Sequence, residues 1–94
     1  MGLMFEWDPK KAQRNIKAHG ISFDEASTAF RDSFSRTIYD PLHSEDEERF
    51  VLIGQSLRGR LLVVVHTERD DRIRIISARL TTNKERLRYE ENEE

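Results

Sequence analysis

The period of the apolar positions changes along the chain, and each change marks a predicted element. Residues 3–7 read as a short strand, ended by Asp8-Pro9. Asp8 suits an N-cap and Pro9 the first helical position, so a helix is predicted from here to about Ala18. Gly20 stands where the left-handed C-terminal conformation is needed. Ser22 and Glu25 have capping-box spacing, and Phe23, Ala26, Ala29 and Phe30 behind them recur at helical intervals, giving a second short helix. Residues 34–39 alternate and are rich in Thr, Ile and aromatic residues, which predicts a strand stopped by Asp40-Pro41. Three more strands are expected at 49–56, 60–67 and 72–79, joined by hairpin turns at 57–59 and 68–71. The run 61–65 is apolar without alternation, so its strand should be central and covered on both faces. Thr82 and Glu85 repeat the capping-box spacing and open a last helix carrying Leu87 and Tyr89. The predicted order is β-α-α-β-β-β-β-α: an α+β fold in which an antiparallel sheet packs with two N-terminal helices and one C-terminal helix.

Composition narrows the class. Ninety-four residues make one domain, 1–94, that can bury on the order of 60–65% of its unfolded surface. The chain has no Cys, so disulfides, a thiol nucleophile and Cys-ligated metal are excluded. Its longest apolar run is too short to cross a membrane and its N-terminus lacks a signal pattern, so a cytoplasmic location is expected. The net charge of -2 conceals an asymmetry. Residues 1–48 hold 6 basic and 10 acidic side chains, whereas residues 49–89 hold 10 basic and 4 acidic. All but Lys84 of the basic residues in 49–89 are arginines, whose planar forks match phosphate oxygens. Such a half suggests a polyanion partner, against the alternative of a charge-balanced solvated surface. Residues 90–94 carry four glutamates, and this tail is expected to be disordered.

Several ordered motifs add a more specific reading. Phe5-Glu6-Trp7-Asp8-Pro9-Lys10-Lys11, then Asn15, then His19-Gly20-Ile21-Ser22-Phe23-Asp24-Glu25-Ala26 resembles the opening signature of BrnT-type toxins. Glu48-Arg49-Phe50, Ile53-Gly54, Arg58-Gly59-Arg60-Leu61-Leu62, Val63-Val64-Val65-His66-Thr67-Glu68-Arg69 and Arg72-Ile73-Arg74-Ile75-Ile76-Ser77-Ala78-Arg79 extend the resemblance over about residues 4–89. Two departures stand out. Ala18 fills the place before His-Gly where a basic residue is common, Lys17 lying about 100° away on the helix, and the acidic 90–94 end has no counterpart. The resemblance implies a RelE-like fold, RNA cleavage that inhibits translation, and an antitoxin partner of the ribbon-helix-helix class (BrnA-like). Operator DNA would then be contacted only through that antitoxin.

Metal-independent RNA cleavage needs a base for the 2′-hydroxyl, an acid for the leaving oxygen and cations for the phosphorane. No cofactor and no metal are expected, since the four acidic residues of 45–48 read as a solvated loop. The candidate catalytic residues are His66, Arg79, Arg49 and His19, and the candidate RNA-binding residues are Arg60, Arg74, Ser77 and Tyr89. With a four-residue turn at 68–71, antiparallel pairing sets Arg60 opposite Arg79, Leu62 opposite Ser77 and His66 opposite Ile73. Arg60, His66, Ser77 and Arg79 would then share one face, and two facing arginines invite an anion; a slip of one residue would dissolve the group. Each candidate also has a structural reading. The two arginines can simply bound their strands, His19 can satisfy the end of the first helix, Arg49 can pair with the acidic loop, and Tyr89 can bury its ring. Trp7 is expected in the core and His43 on the surface. The alternative function is a non-catalytic domain that docks an antitoxin or RNA through its arginine-rich half.

Overall fold

A computed structural model describes residues 3–41 and 47–91. His43 and the acidic run 45–46 therefore lie outside the described residues. The elements are β1 (Met4–Glu6), α1 (Pro9–His19), α2 (Phe23–Thr28) continued by a 3-10 turn (Ala29–Arg31), β2 (Arg36–Asp40), β3 (Arg49–Gln55), β4 (Leu61–Arg69), β5 (Arg72–Leu80) and α3 (Asn83–Glu91). This is the predicted α+β order. The tail expectation changes in part, because Glu90 and Glu91 are the last residues of α3 and only 92–94 lie outside the described residues.

The caps act largely as their spacing predicts. Asp8 accepts the Lys10 amide at 2.9 Å, and Gly20 closes α1 at φ 70°. Thr82 and Glu85 form a reciprocal box, the Thr82 amide donating to Glu85 at 2.8 Å and the Glu85 amide to Thr82 at 3.2 Å. The first box is only half made. Ser22 accepts the Glu25 amide at 3.0 Å, but the Glu25 carboxylate turns inward to Ser56 and Arg60.

The sheet runs β1-β5-β4-β3-β2. Four strands are antiparallel, but β1 lies parallel to β5, so the sheet is mixed. The crossover through α1 and α2 carries the chain from β1 to β2 at the opposite edge, so β1 lies beside the last strand rather than beside its neighbour in sequence. The apolar run of β4 occupies the middle position and is buried on both faces, as its lack of alternation predicts.

One face is covered by α1 and α2. There Ile21, Phe23 and Ala26 pack on Leu52, Leu62, Val64, Ile73, Ile75 and Ala78, with Trp7 edge-on to Phe23 at 5.9 Å. Asn15 is buried in this layer with its polar atoms satisfied, donating to the Ile21 and Ala78 carbonyls and accepting the Ala78 amide. At Gly54 the layers come close enough that a Cβ would stand 2.8 Å from the Ala29 carbonyl oxygen, so the position has no room for a side chain. The other face carries a smaller cluster, Ile53, Leu61 and Val63, under Tyr89 of α3.

The β4–β5 hairpin departs from the expected register. Its turn is Asp70-Asp71, with Asp70 at φ 56°, so Arg69 pairs with Arg72. A register shift follows: His66 pairs with Ile75 but Val65 with Ser77, leaving Ile76 as an extra residue, a β-bulge. Beyond it Val63 pairs with Arg79. A bulge reverses the side-chain phase, so Arg72 and Arg74 before it share a face with Ser77 and Arg79 after it.

Candidate functional site: the arginine face of the sheet

Direct cross-strand partners project to the same face, and register therefore defines the site. Arg49 of β3 stands opposite Thr67 of β4, Thr67 opposite Arg74 of β5, and Arg74 opposite Glu6 of β1. Asp40 of β2 completes the row beyond Arg49. Two guanidinium groups thus flank a threonine, from positions two strands apart, about 10 Å. The next rows place Ser77 opposite Val65 and Arg79 opposite Val63. Four of the eight candidate residues, Arg49, Arg74, Ser77 and Arg79, are brought together on the α3 side.

Carboxylates hold these arginines in place. Arg72 and Arg74 share Glu6, at 3.1 and 3.4 Å, and Arg69 reaches Glu47 at 3.4 Å. They line a cleft of about 540 Å³ together with Thr67 and the Asp70-Asp71 turn. Arg79 grips Glu85 with both Nη atoms at 2.9 Å and also donates to the Leu80 carbonyl. The Arg79 hydrogen bonds, helped by the Thr82 amide and opposed by burial, hold the Glu85 carboxyl down at about 2, while Glu85 pushes the Arg79 pKa up. Because Glu85 is also the partner of Thr82, one carboxylate both starts α3 and orients the Arg79 fork.

His66, Arg60 and His19 lie elsewhere, which corrects the expected shared face, and Tyr89 is on the α3 side but buried. His66 is 0% exposed, on the opposite face, edge-on to Phe30 at 4.9 Å and stacked on Phe50 at 5.9 Å. Its Nε2 meets Glu68 at 2.9 Å and its Nδ1 has no partner. A side chain without accessible surface cannot exchange a proton with RNA, so His66 is a core histidine. Arg60 does not face Arg79. It turns to the α2 side, where it and Ser56 bind the buried carboxylate of Glu25. The Arg60 hydrogen bonds hold the Glu25 pKa below its ordinary value against the effect of burial. His19 is exposed at the end of α1, the helix covering the opposite face. Tyr89 is buried and its hydroxyl donates to Asp32, which fits its structural reading. Burial pushes the Asp32 carboxyl up, but hydrogen bonds from Tyr89 and the Gln55 and Phe34 amides outweigh it and leave the group below its ordinary value.

Sequence reasoning missed Thr67, Arg72, Glu6 and Glu85 as members of the arginine face. A usable signal existed for β5: the Ile75-Ile76 doublet interrupts an otherwise strict alternation and marks the bulge.

Comparison with known proteins agrees with this architecture. The family model described as "Ribonuclease toxin, BrnT, of type II toxin-antitoxin system" matches residues 7–85. The crystal structure of the Brucella abortus ribonuclease toxin BrnT superposes with a TM-score of 0.61 at 21% identity, covering 85% of this chain and 99% of that one, which shows a shared fold. No curated protein sequence matches the chain. With the family model spanning most of its length, the chain belongs to the BrnT family of ribonuclease toxins of type II toxin–antitoxin systems.

Proposed function

We propose that this chain cleaves RNA without a divalent metal and thereby inhibits translation, and that the arginine face is where it does so. The observation carrying this reading is the row Arg49–Thr67–Arg74, with Ser77 and Arg79 on the same face. A scissile phosphate over the Val65–Ser77 row would stand one row from Arg49 and Arg74 on one side and one row from Arg79 on the other. The 2′-oxygen attacks phosphorus, its proton passes to solvent, the bond to the 5′-oxygen breaks, and that oxygen takes up a proton, leaving a 2′,3′-cyclic phosphate. Arginines cannot serve as the base at neutral pH, so their contribution is electrostatic, offsetting the charge that builds on the non-bridging oxygens.

The carboxylates now holding the forks do not prevent this. Glu6 with Arg72 and Arg74 is a partly exposed pair, a kind that contributes only about 0–1 kcal/mol. A phosphodiester offering two oxygens at once can replace it. The family implies an antitoxin partner. We take this to be a ribbon-helix-helix protein, BrnA-like, that blocks the toxin in the cytoplasm and carries the operator-DNA contacts.

Incubating the purified chain with RNA in excess EDTA tests the proposal. Cleavage should persist, with products ending in 2′,3′-cyclic phosphate. Cleavage abolished by EDTA and restored by magnesium would overturn the metal-independent reading. Binding without any cleavage would favour the non-catalytic docking module instead.

A further inference from the structure

Charges segregated along the sequence are mixed again by the fold. Arg58 and Arg60 face Glu25, Arg69 faces Glu47, Arg72 and Arg74 share Glu6, and Arg79 holds Glu85. At least six of the ten basic residues of 49–89 therefore meet a carboxylate, and three of the four carboxylates come from residues 1–48. The densest group of cations left without a carboxylate among the described residues lies on α1, whose sequence PKKAQRNIKAH contains Lys10, Lys11, Arg14 and Lys17 and no acidic residue.

At 100° per residue, Lys10, Arg14 and Lys17 fall within an arc of about 60° and span about 10 Å of helix axis. Lys11 lies beside them, and all four are exposed. Ala12 and Asn15 point the other way, toward the sheet. Helix stability accounts for Lys17, which lies in the last turn, but not for the rest of the stripe. Lys10 and Lys11 occupy the first turn, where the helix macrodipole disfavours cations. A protein interface does not explain it either, because the centres of such interfaces are depleted in lysine. Closely spaced, unpaired point charges suit a regular polyanion instead.

We propose that the exposed face of α1 is a second RNA contact, holding the phosphodiester backbone of single-stranded RNA that passes round the short β1 edge from the arginine face. The proposal rests on the ribonuclease reading for the choice of RNA. Its test does not require cleavage. The probe is a fluorescein-labelled, 2′-O-methylated oligouridine of about twenty nucleotides, which has no free 2′-hydroxyl to attack. Anisotropy titrations between 50 and 200 mM KCl compare the native chain with Lys10→Ala/Arg14→Ala/Lys17→Ala, circular dichroism confirming that the variant folds.

Loss of three phosphate contacts should make the slope of log K against log salt shallower by about 2, with affinity at 50 mM KCl falling about tenfold or more. Lys10→Arg/Lys17→Arg, which keeps the charges, should bind as the native chain does. An unchanged slope in the triple-alanine variant would overturn the proposal. So would intact RNA binding accompanied by loss of poly-glutamate binding, which would assign the stripe to an acidic protein. If the native protein fails to cleave RNA both in EDTA and with magnesium while the stripe still governs binding of this probe, the catalytic reading fails and the contact stands.

Discussion

Replacing Arg60 by alanine is expected to lower the Tm by several degrees at neutral pH, because it leaves the nearly buried Glu25 carboxylate without its main partner. The cause lies in its partner. The Glu25 side chain is only 4% exposed, and its carboxylate depends on Arg60 and on the Ser56 hydroxyl. Arg58, although within 3.9 Å, is largely in water and compensates little. Without Arg60 the carboxylate must stay charged in a poorly solvated place or take up a proton. The pH dependence follows in sign. Glu25 is depressed in the fold, so the stability that it contributes is present above its ordinary 4.5 and is lost as pH falls through the folded value. The deficit of Arg60→Ala should therefore shrink below pH 4.5, and Glu25→Gln combined with Arg60→Ala should recover part of it at pH 7. Thermal melts at pH 7 and pH 4 decide the matter. An Arg60→Ala protein that melts like the native chain would mean that the pair contributes nothing, and would return Arg60 to the RNA-binding candidates.

Arg79→Ala is expected to reduce RNA cleavage by on the order of 100-fold in kcat/KM, about 2.7 kcal/mol of transition-state stabilisation. Its effect on stability should be much smaller. The bidentate pair with Glu85 is 41% exposed on the arginine side, and the Thr82–Glu85 box survives the substitution to start α3. Arg79→Lys keeps the charge without the fork and should recover only part of the rate. Glu85→Gln is the companion measurement, because it loosens the fork while leaving Arg79 in place. A smaller loss there would separate positioning from direct contact. Arg69→Ala, at the end of β4 beside the turn, should change little. Normal cleavage by Arg79→Ala together with a large loss in Arg69→Ala would move the phosphate site to the hairpin end of the face.

How much of this was legible in the sequence varies with the kind of signal. Local chemistry read directly: Asp8-Pro9, Gly20, Ser22 and the Thr82–Glu85 box each fix an end of a helix through contacts within a few residues. The central place of β4 was equally legible, because only a strand covered on both faces tolerates an unbroken apolar run. What failed was the relation between strands. The turn was expected to hold four residues and holds two, a change of even size that by itself would have kept His66, Ser77 and Arg79 on one face. The bulge at Ile76 then shifts the register by a single residue and sends His66 to the core while Ser77 and Arg79 stay outside. Long-range partners were also hidden. Nothing near Arg60 announces Glu25, and nothing near Arg74 announces Glu6, since those contacts exist only once the sheet has closed.

Ile76 has no group that could touch a phosphate or move a proton. Yet the spacing that it inserts is what allows Arg74 and Arg79, five positions apart and so of opposite parity, to face the same way. Deleting it should leave a strand of ordinary length and strip one or the other arginine from the face. A genetic screen that scores survival of cells carrying single-codon deletions would therefore be expected to rank this plain hydrophobic codon with the arginines. Substitution by valine at the same codon should pass unnoticed. For this toxin, a map of essential positions made only from substitutions would overlook one of the positions on which the site depends.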